Sequence, residues 1–219
     1  MGLTTNLIRA TEKDSPFWMV VLHGLGDSMD GYQWMPDQMK LPWLNYLMVN
    51  APDPYFGGYS WFDIQGDHEE GIVRSRLLLF ETLEAFLQAE GVNSTDLFVF
   101  GFSQGCVMTL ETGMRFSRPL AGLIGVSGFI HRPESLLNEA QPHARDHRFL
   151  LTHGSRDPLI AHEPVKQQVD QCRQAGYQME WKVFPKEHTL YGEEELQVFR
   201  AFLQERRKAA EAGNAEAGI

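Results

Sequence analysis

Six runs of mostly apolar residues recur along the chain, each ending at glycine, proline or a polar turn. They are FWMVVLHG (17–24), YLMVNAP (46–52), LFVFGFS (97–103), LAGLIGVSG (120–128), RFLLTHG (148–154) and MEWKVFP (179–185). These runs are strand-like, and one such as LFVF, four apolar residues bounded by turn signals, suits a strand covered on both faces. The segments between them carry a helical period. In GIVRSRLLLFETLEAFLQAEG (71–91), Ile72, Leu79, Leu83, Phe86 and Leu87 fall on one face and Gly91 supplies a C-terminal stop. QGCVMTLETGMRF (104–116), HEPVKQQVDQCRQAG (162–176) and GEEELQVFRAFLQERR (192–207) read the same way. Strands alternating with helical crossovers form parallel β-α-β units, so the pattern predicts an α/β protein with an open, mostly parallel sheet and helices on both faces.

No repeat and no Pro- or Ser-rich linker divides the sequence, and residues 1–219 read as one domain. The last stretch, KAAEAGNAEAGI (208–219), loses its apolar anchors and is expected to fray from the final helix. Two segments are too long and irregular to be mere connectors: HGLGDSMDGYQWMP (23–36) and the aromatic, glycine-rich APDPYFGGYSWFDIQGDHEE (51–70). Both leave the C-terminal edge of the predicted sheet, where ligands of parallel sheets bind.

Composition removes several function classes. The chain has 19 Lys and Arg against 29 Asp and Glu, a net charge of −10, which opposes association with nucleic acid or anionic membrane surfaces. No run approaches 18 uninterrupted apolar residues, so stable membrane insertion is not expected. The N-terminal MGLTTNLIRATEKDSPF has no secretory pattern, which points to the cytoplasm. Cys106 and Cys172 stand far apart, outside any C-x-x-C spacing, and read as inert packing residues rather than a disulfide or metal site.

One motif changes the picture. LFVFGFSQGC places Ser103 in G-x-S-x-G between a buried strand and a helix. That is the pattern of a nucleophile elbow, a sharp turn that presents a serine hydroxyl at a sheet edge beside a helix N-terminus. A serine needs a base, and the base needs an acid to orient it; in this scaffold they follow in the order Ser, Asp or Glu, His. Asp157 follows RFLLTHG and His188 follows MEWKVFP, so both leave the same sheet edge and are the expected acid and base. His131, His143 and His147 precede the acid strand, His68 and His162 lack a preceding strand, and His153 is expected to pack beneath the site. The oxyanion of acyl transfer needs two amide donors. Gln104, next after the serine, supplies one, and Leu25 in the glycine-flanked HGLGD turn is expected to supply the other. Tyr55, Phe56, Tyr59, Trp61 and Phe62 are candidate walls of an apolar substrate pocket, or of a homodimer interface. Asp27 and Asp63 are expected to tie the two long loops together through backbone N–H groups.

HGLGD (23–27), SWFDI (60–64), GFSQG (101–105), GVSGF (125–129) and HGSRDPLI (153–160), in this order, resemble the carboxylesterase and lysophospholipase branch of the α/β-hydrolases that includes acyl-protein thioesterases. The resemblance implies an α/β-hydrolase fold and a serine esterase with Ser103, Asp157 and His188 as triad, Leu25 and Gln104 as oxyanion donors, and an acyl pocket near SWFDI. The expected activity is hydrolysis of small carboxylic esters, thioesters or lysophospholipids through an acyl-enzyme, without metal or cofactor. The sequence departs from the family in PKEHTLYG around His188, where Gly-x-x-His-Ser is usual, and in Cys106 after the elbow, where glycine is usual. Two other readings share the residues: a ligand-binding protein on the same scaffold with a misaligned base, and a hydrolase of lactones or small peptides.

Overall fold

The computed structural model describes residues 2–217. In chain order they form β1 (Thr5–Ile8), β2 (Trp18–Leu22), α1 (Met35–Met39), β3 (Asn45–Val49), β4 (Asp53–Tyr55), β5 (Gly58–Ser60), α2 (His68–Glu90), β6 (Leu97–Phe102), α3 (Gln104–Arg115), β7 (Gly122–Val126), α4 (Pro133–Asn138), β8 (Arg148–Gly154), α5 (His162–Gln174), β9 (Gln178–Phe184) and α6 (Glu193–Ala217). Seven strands make one sheet in the order β1-β3-β2-β6-β7-β8-β9. All neighbours pair in parallel except β1, which runs antiparallel to β3. The six apolar runs of the sequence are the six parallel strands. The two strands the pattern missed in the 51–70 segment, β4 and β5, pair as a separate hairpin.

The continuous apolar runs of β2, β3, β6, β7 and β8 arise because both faces of the sheet are covered there; β9, at the edge, buries only Met179. Trp18, Val20 and Leu22 face a core built with α2, α3, α4 and α5, while Met19 and Val21 face a second core with α1 and α6. Helix α2 shows how the sequence fixes such an element. The Asp67 side chain caps its start by accepting from the Glu69 N–H at 3.0 Å, and all five residues of the predicted apolar face are buried. It ends at Gly91, whose φ of 64° is the left-handed C-cap that glycine adopts at no steric cost. The backbone of 208–217 continues α6 instead of leaving it, consistent with the high helix propensity of its alanines; 218 and 219 lie outside the described residues.

Under this frame His147 is buried with its tautomer fixed: the ring accepts from the Leu120 N–H at 2.9 Å and donates through Nδ1 to the Gly113 carbonyl at 2.8 Å. Burial holds its pKa down at about 4, below the usual 6.5. A histidine whose folded pKa is depressed contributes stability that is whole above 6.5 and lost as pH falls from 6.5 towards 4. The expected loss is about 3 kcal/mol across that window. Urea midpoints at pH 7 and 4.5 check it, and His147→Gln should flatten the difference.

Candidate active site

The turn between β6 and α3 holds Ser103 at φ 55° and ψ −114°, a backbone conformation rare outside glycine. The flanking glycines explain how the turn closes. A Cβ on Gly101 would sit 2.1 Å from the Gly105 carbonyl oxygen, and one on Gly105 would sit 2.1 Å from that of Leu22. Strand and helix therefore meet backbone to backbone. The Ser103 N–H donates to the Val126 carbonyl at 2.8 Å, pinning the turn to β7.

His188 comes to this serine from the loop after β9, with Nε2 2.9 Å from the Ser103 hydroxyl oxygen. Its Nδ1 lies 2.7 Å from Asp157 Oδ2, in the loop after β8. A carboxylate only accepts, so Nδ1 carries the proton and Nε2 turns its lone pair to the hydroxyl. The His188 ring packs on Phe102 at 5.1 Å between centroids. The Asp157 side chain is fully buried, and its second oxygen accepts from the Leu159 and Ile160 N–H groups at 2.9 Å each. Burial pushes its pKa up, but the Ile160 amide, the His188 ring and the Leu159 amide outweigh it, and the carboxyl titrates below its usual range. His153 lies under this acid, with Nε2 3.6 Å from Oδ2 and donating to the Ile160 carbonyl.

The HGLGD loop runs alongside. A Cβ on Gly24 would lie 3.3 Å from that of Ser103, so the loop backbone is within reach of whatever the serine holds. The Gly26 N–H donates to the Tyr59 carbonyl and the Asp27 N–H to that of Gly24. The Leu25 and Gln104 N–H groups have no partner among the described residues, which leaves two donors beside Ser103.

The loops are tied differently from the sequence expectation. Asp27 Oδ1 accepts from Ser28 N–H and Asp63 Oδ1 from Gln65 N–H, both within their own loop. The tie is a backbone bridge instead: Gly26 N–H to the Tyr59 carbonyl and Tyr59 N–H to the Asp27 carbonyl, each 2.9 Å. A Cβ on Gly58 would lie 2.2 Å from the Gly26 oxygen, so this approach requires glycine. The Gln104 side chain adds a clamp that the motif alone does not announce. Its oxygen accepts from Trp61 N–H at 2.9 Å, and its amide donates to the Phe62 carbonyl at 2.7 Å.

A groove of about 490 Å³ opens from Ser103 and His188. Phe62, Ile64, Phe102, Phe129, Leu159 and Ile160 form its apolar walls. Of the five aromatic candidates only Phe62 lines it. Trp61 is 0% exposed, its indole N–H bound to the His23 carbonyl at 2.9 Å within the core. Because DPYFGGYS forms a hairpin rather than a loose loop, Tyr55 meets Phe56 edge to face beside Gly26, Tyr59 packs on the core, and Phe56 stands 94% exposed at the tip. No local sequence pattern marks Phe102, Phe129, Leu159 and Ile160 as walls, because they converge from the ends of three separate strands.

A serine elbow after a central parallel strand, with a histidine and a buried aspartate from later strands, defines the class of α/β-hydrolases. Within it, the chain belongs to the phospholipase/carboxylesterase family, whose model matches residues 4–206. It is 31% identical over 155 residues to acyl-protein thioesterase 1 of Schizosaccharomyces pombe, covering 65% of this chain and 69% of that protein. Against the enzyme of the same name from Debaryomyces hansenii it is 27% identical, covering 86% and 90%. The crystal structure of esterase PE8 matches with a TM-score of 0.82 and 26% identity over 94% of this chain and 99% of that one. Among the described residues, no helix is long and apolar enough to cross a membrane.

Proposed function

We propose that the protein is a serine esterase that cleaves carboxylic esters or thioesters of apolar acyl chains through an acyl-enzyme. The observation that carries this reading is the unbroken relay from Asp157 through His188 to Ser103, at 2.7 and 2.9 Å. The Ser103 oxygen attacks the acyl carbon as its proton passes to His188 Nε2, and Asp157 stabilises the imidazolium. The Leu25 and Gln104 amides receive the oxyanion. As the bond to the leaving group breaks, His188 returns the proton to the departing oxygen or sulfur. Water then repeats the sequence on the acyl-serine and restores the free hydroxyl. A binder with a misaligned base is disfavoured by the same two distances.

The apolar groove supports an acyl group of more than a few carbons. We expect kcat/KM for p-nitrophenyl esters to rise from acetate to octanoate. Leu159 and Ile64 are 74% and 46% exposed, so changing them costs the fold little. In Leu159→Ser and Ile64→Ser the octanoate-to-acetate ratio should fall about fivefold, the scale of one lost aliphatic contact. No turnover of any ester in the series would end the esterase reading. A cytoplasmic setting suits the two free, buried cysteines.

A further inference from the structure

A second depression, of about 230 Å³, adjoins the acyl groove at His188. It shares Asp27, Phe102 and His188 with the groove and is completed by Gly31, Tyr32, Trp34, Thr189 and Leu190. If the reading above holds, the reacting ester has its acyl chain among Phe62, Phe129 and Leu159. Its leaving atom must then take a proton from His188 Nε2, so the leaving group extends past this ring. The second depression is the space there.

The walls have a definite chemical character. The only formal charge on its walls is Asp27, an exposed carboxylate. One of its oxygens accepts from Ser28 N–H, and the group joins no ion pair among the described residues. Trp34 presents a half-buried indole, with the Tyr32 ring 6.3 Å from it. Burial, and then the Asp27 charge, push the Tyr32 phenol up, so it stays neutral. No lysine or arginine lines the depression. A carboxylate beside an indole face is the chemistry that holds an alkylammonium, by Coulomb attraction and cation–π contact. The chain's charge of −10 favours the approach of cations and repels a phosphate.

We propose that this depression is the leaving-group subsite, and that it takes an alcohol or thiol bearing an ammonium group, held between the Asp27 carboxylate and the Trp34 indole. The proposal rests on the esterase reading and is tested separately from it. Three octanoate esters of matched size are compared: a choline ester, its uncharged 3,3-dimethylbutyl analogue, and a sulfonate-ended analogue. The wild type should show about tenfold higher kcat/KM for the choline ester than for the uncharged one, with the sulfonate poorest, and the gap should narrow in salt. In Asp27→Asn, which keeps the acceptor for Ser28 N–H, and in Trp34→Leu, the choline-to-neutral ratio should fall towards one. Equal kcat/KM for the choline and neutral esters in the wild type would overturn the subsite, as would a preference retained in Asp27→Asn. Failure to cleave even the neutral ester would instead strike the esterase reading beneath it.

Discussion

Ser103→Ala is expected to lower p-nitrophenyl octanoate turnover by about 10⁴-fold or more while leaving the protein folded. The reason lies in the relay: with the hydroxyl gone, His188 Nε2 faces a methyl group and no acyl-enzyme forms. The two amides beside position 103 still stand, so a small residual rate over water remains. Labelling by a fluorophosphonate probe should vanish in parallel. Ser103→Gly separates chemistry from folding. The serine sits at φ 55°, a conformation that costs a residue with a side chain about 1–3 kcal/mol and glycine little. Set against the extra unfolded-state entropy of glycine, this variant should be inactive yet about 1 kcal/mol more stable. Alanine keeps the strain and should melt close to the wild type. Turnover in Ser103→Ala above a few per cent of wild type would remove this serine from the mechanism.

The parts of this molecule legible in its sequence are those where one physical constraint acts on contiguous residues. The parallel strands β2, β3, β6, β7 and β8 announce themselves because each is covered on both faces, so nearly every residue in the run is selected for burial, whereas β9 is an edge strand in which only Met179 is buried. The face of α2 is legible for the same reason, with a period of 3.6 in place of a run. Strand β1 escapes because TNLI is a short, half-exposed edge segment whose partner, β3, is set by tertiary pairing. Ser103, Asp157 and His188 are legible because elbow geometry and chain order restrict them to strand ends. The aromatic stretch shows the limit. Composition marks 55–62 as apolar, but which rings face the groove depends on the hairpin register and on the bonds from Gln104 and His23 that turn Trp61 inwards. The groove walls draw on residues such as Phe102, Phe129 and Leu159, and no local pattern links positions so far apart.

The departure at PKEHTLYG acquires a physical meaning once Lys186 is located. Two residues before His188, its side chain is 1% exposed and its Nζ lies 2.6 Å from Glu195 Oε1, itself fully buried in the first turn of α6. The other Glu195 oxygen accepts from the Tyr191 N–H at 2.7 Å, so one carboxylate holds the base loop on both sides of His188. The Lys186 carbonyl accepts from the Arg156 N–H at 3.1 Å, joining this loop to the one that carries Asp157. Burial lowers the lysine pKa, and the attraction of Glu195 opposes it. Removing either partner leaves a buried charge without its counterpart, so Lys186→Met and Glu195→Leu should each lose about 3–5 kcal/mol. For a chain of this length that is roughly a 10 °C drop in Tm. Removing both charges together avoids the desolvation cost, and Lys186→Met with Glu195→Leu should recover most of the Tm. Turnover should not recover with it. The Tyr191 amide has lost its acceptor, and a base displaced by about an ångström costs up to about 10²-fold in rate. Melting temperatures with kcat and KM for the two single variants and the double variant decide the matter. Single variants that melt within about 2 °C of wild type would show that the pair contributes little to the fold, and a double variant with full kcat would show that the loop holds His188 without it.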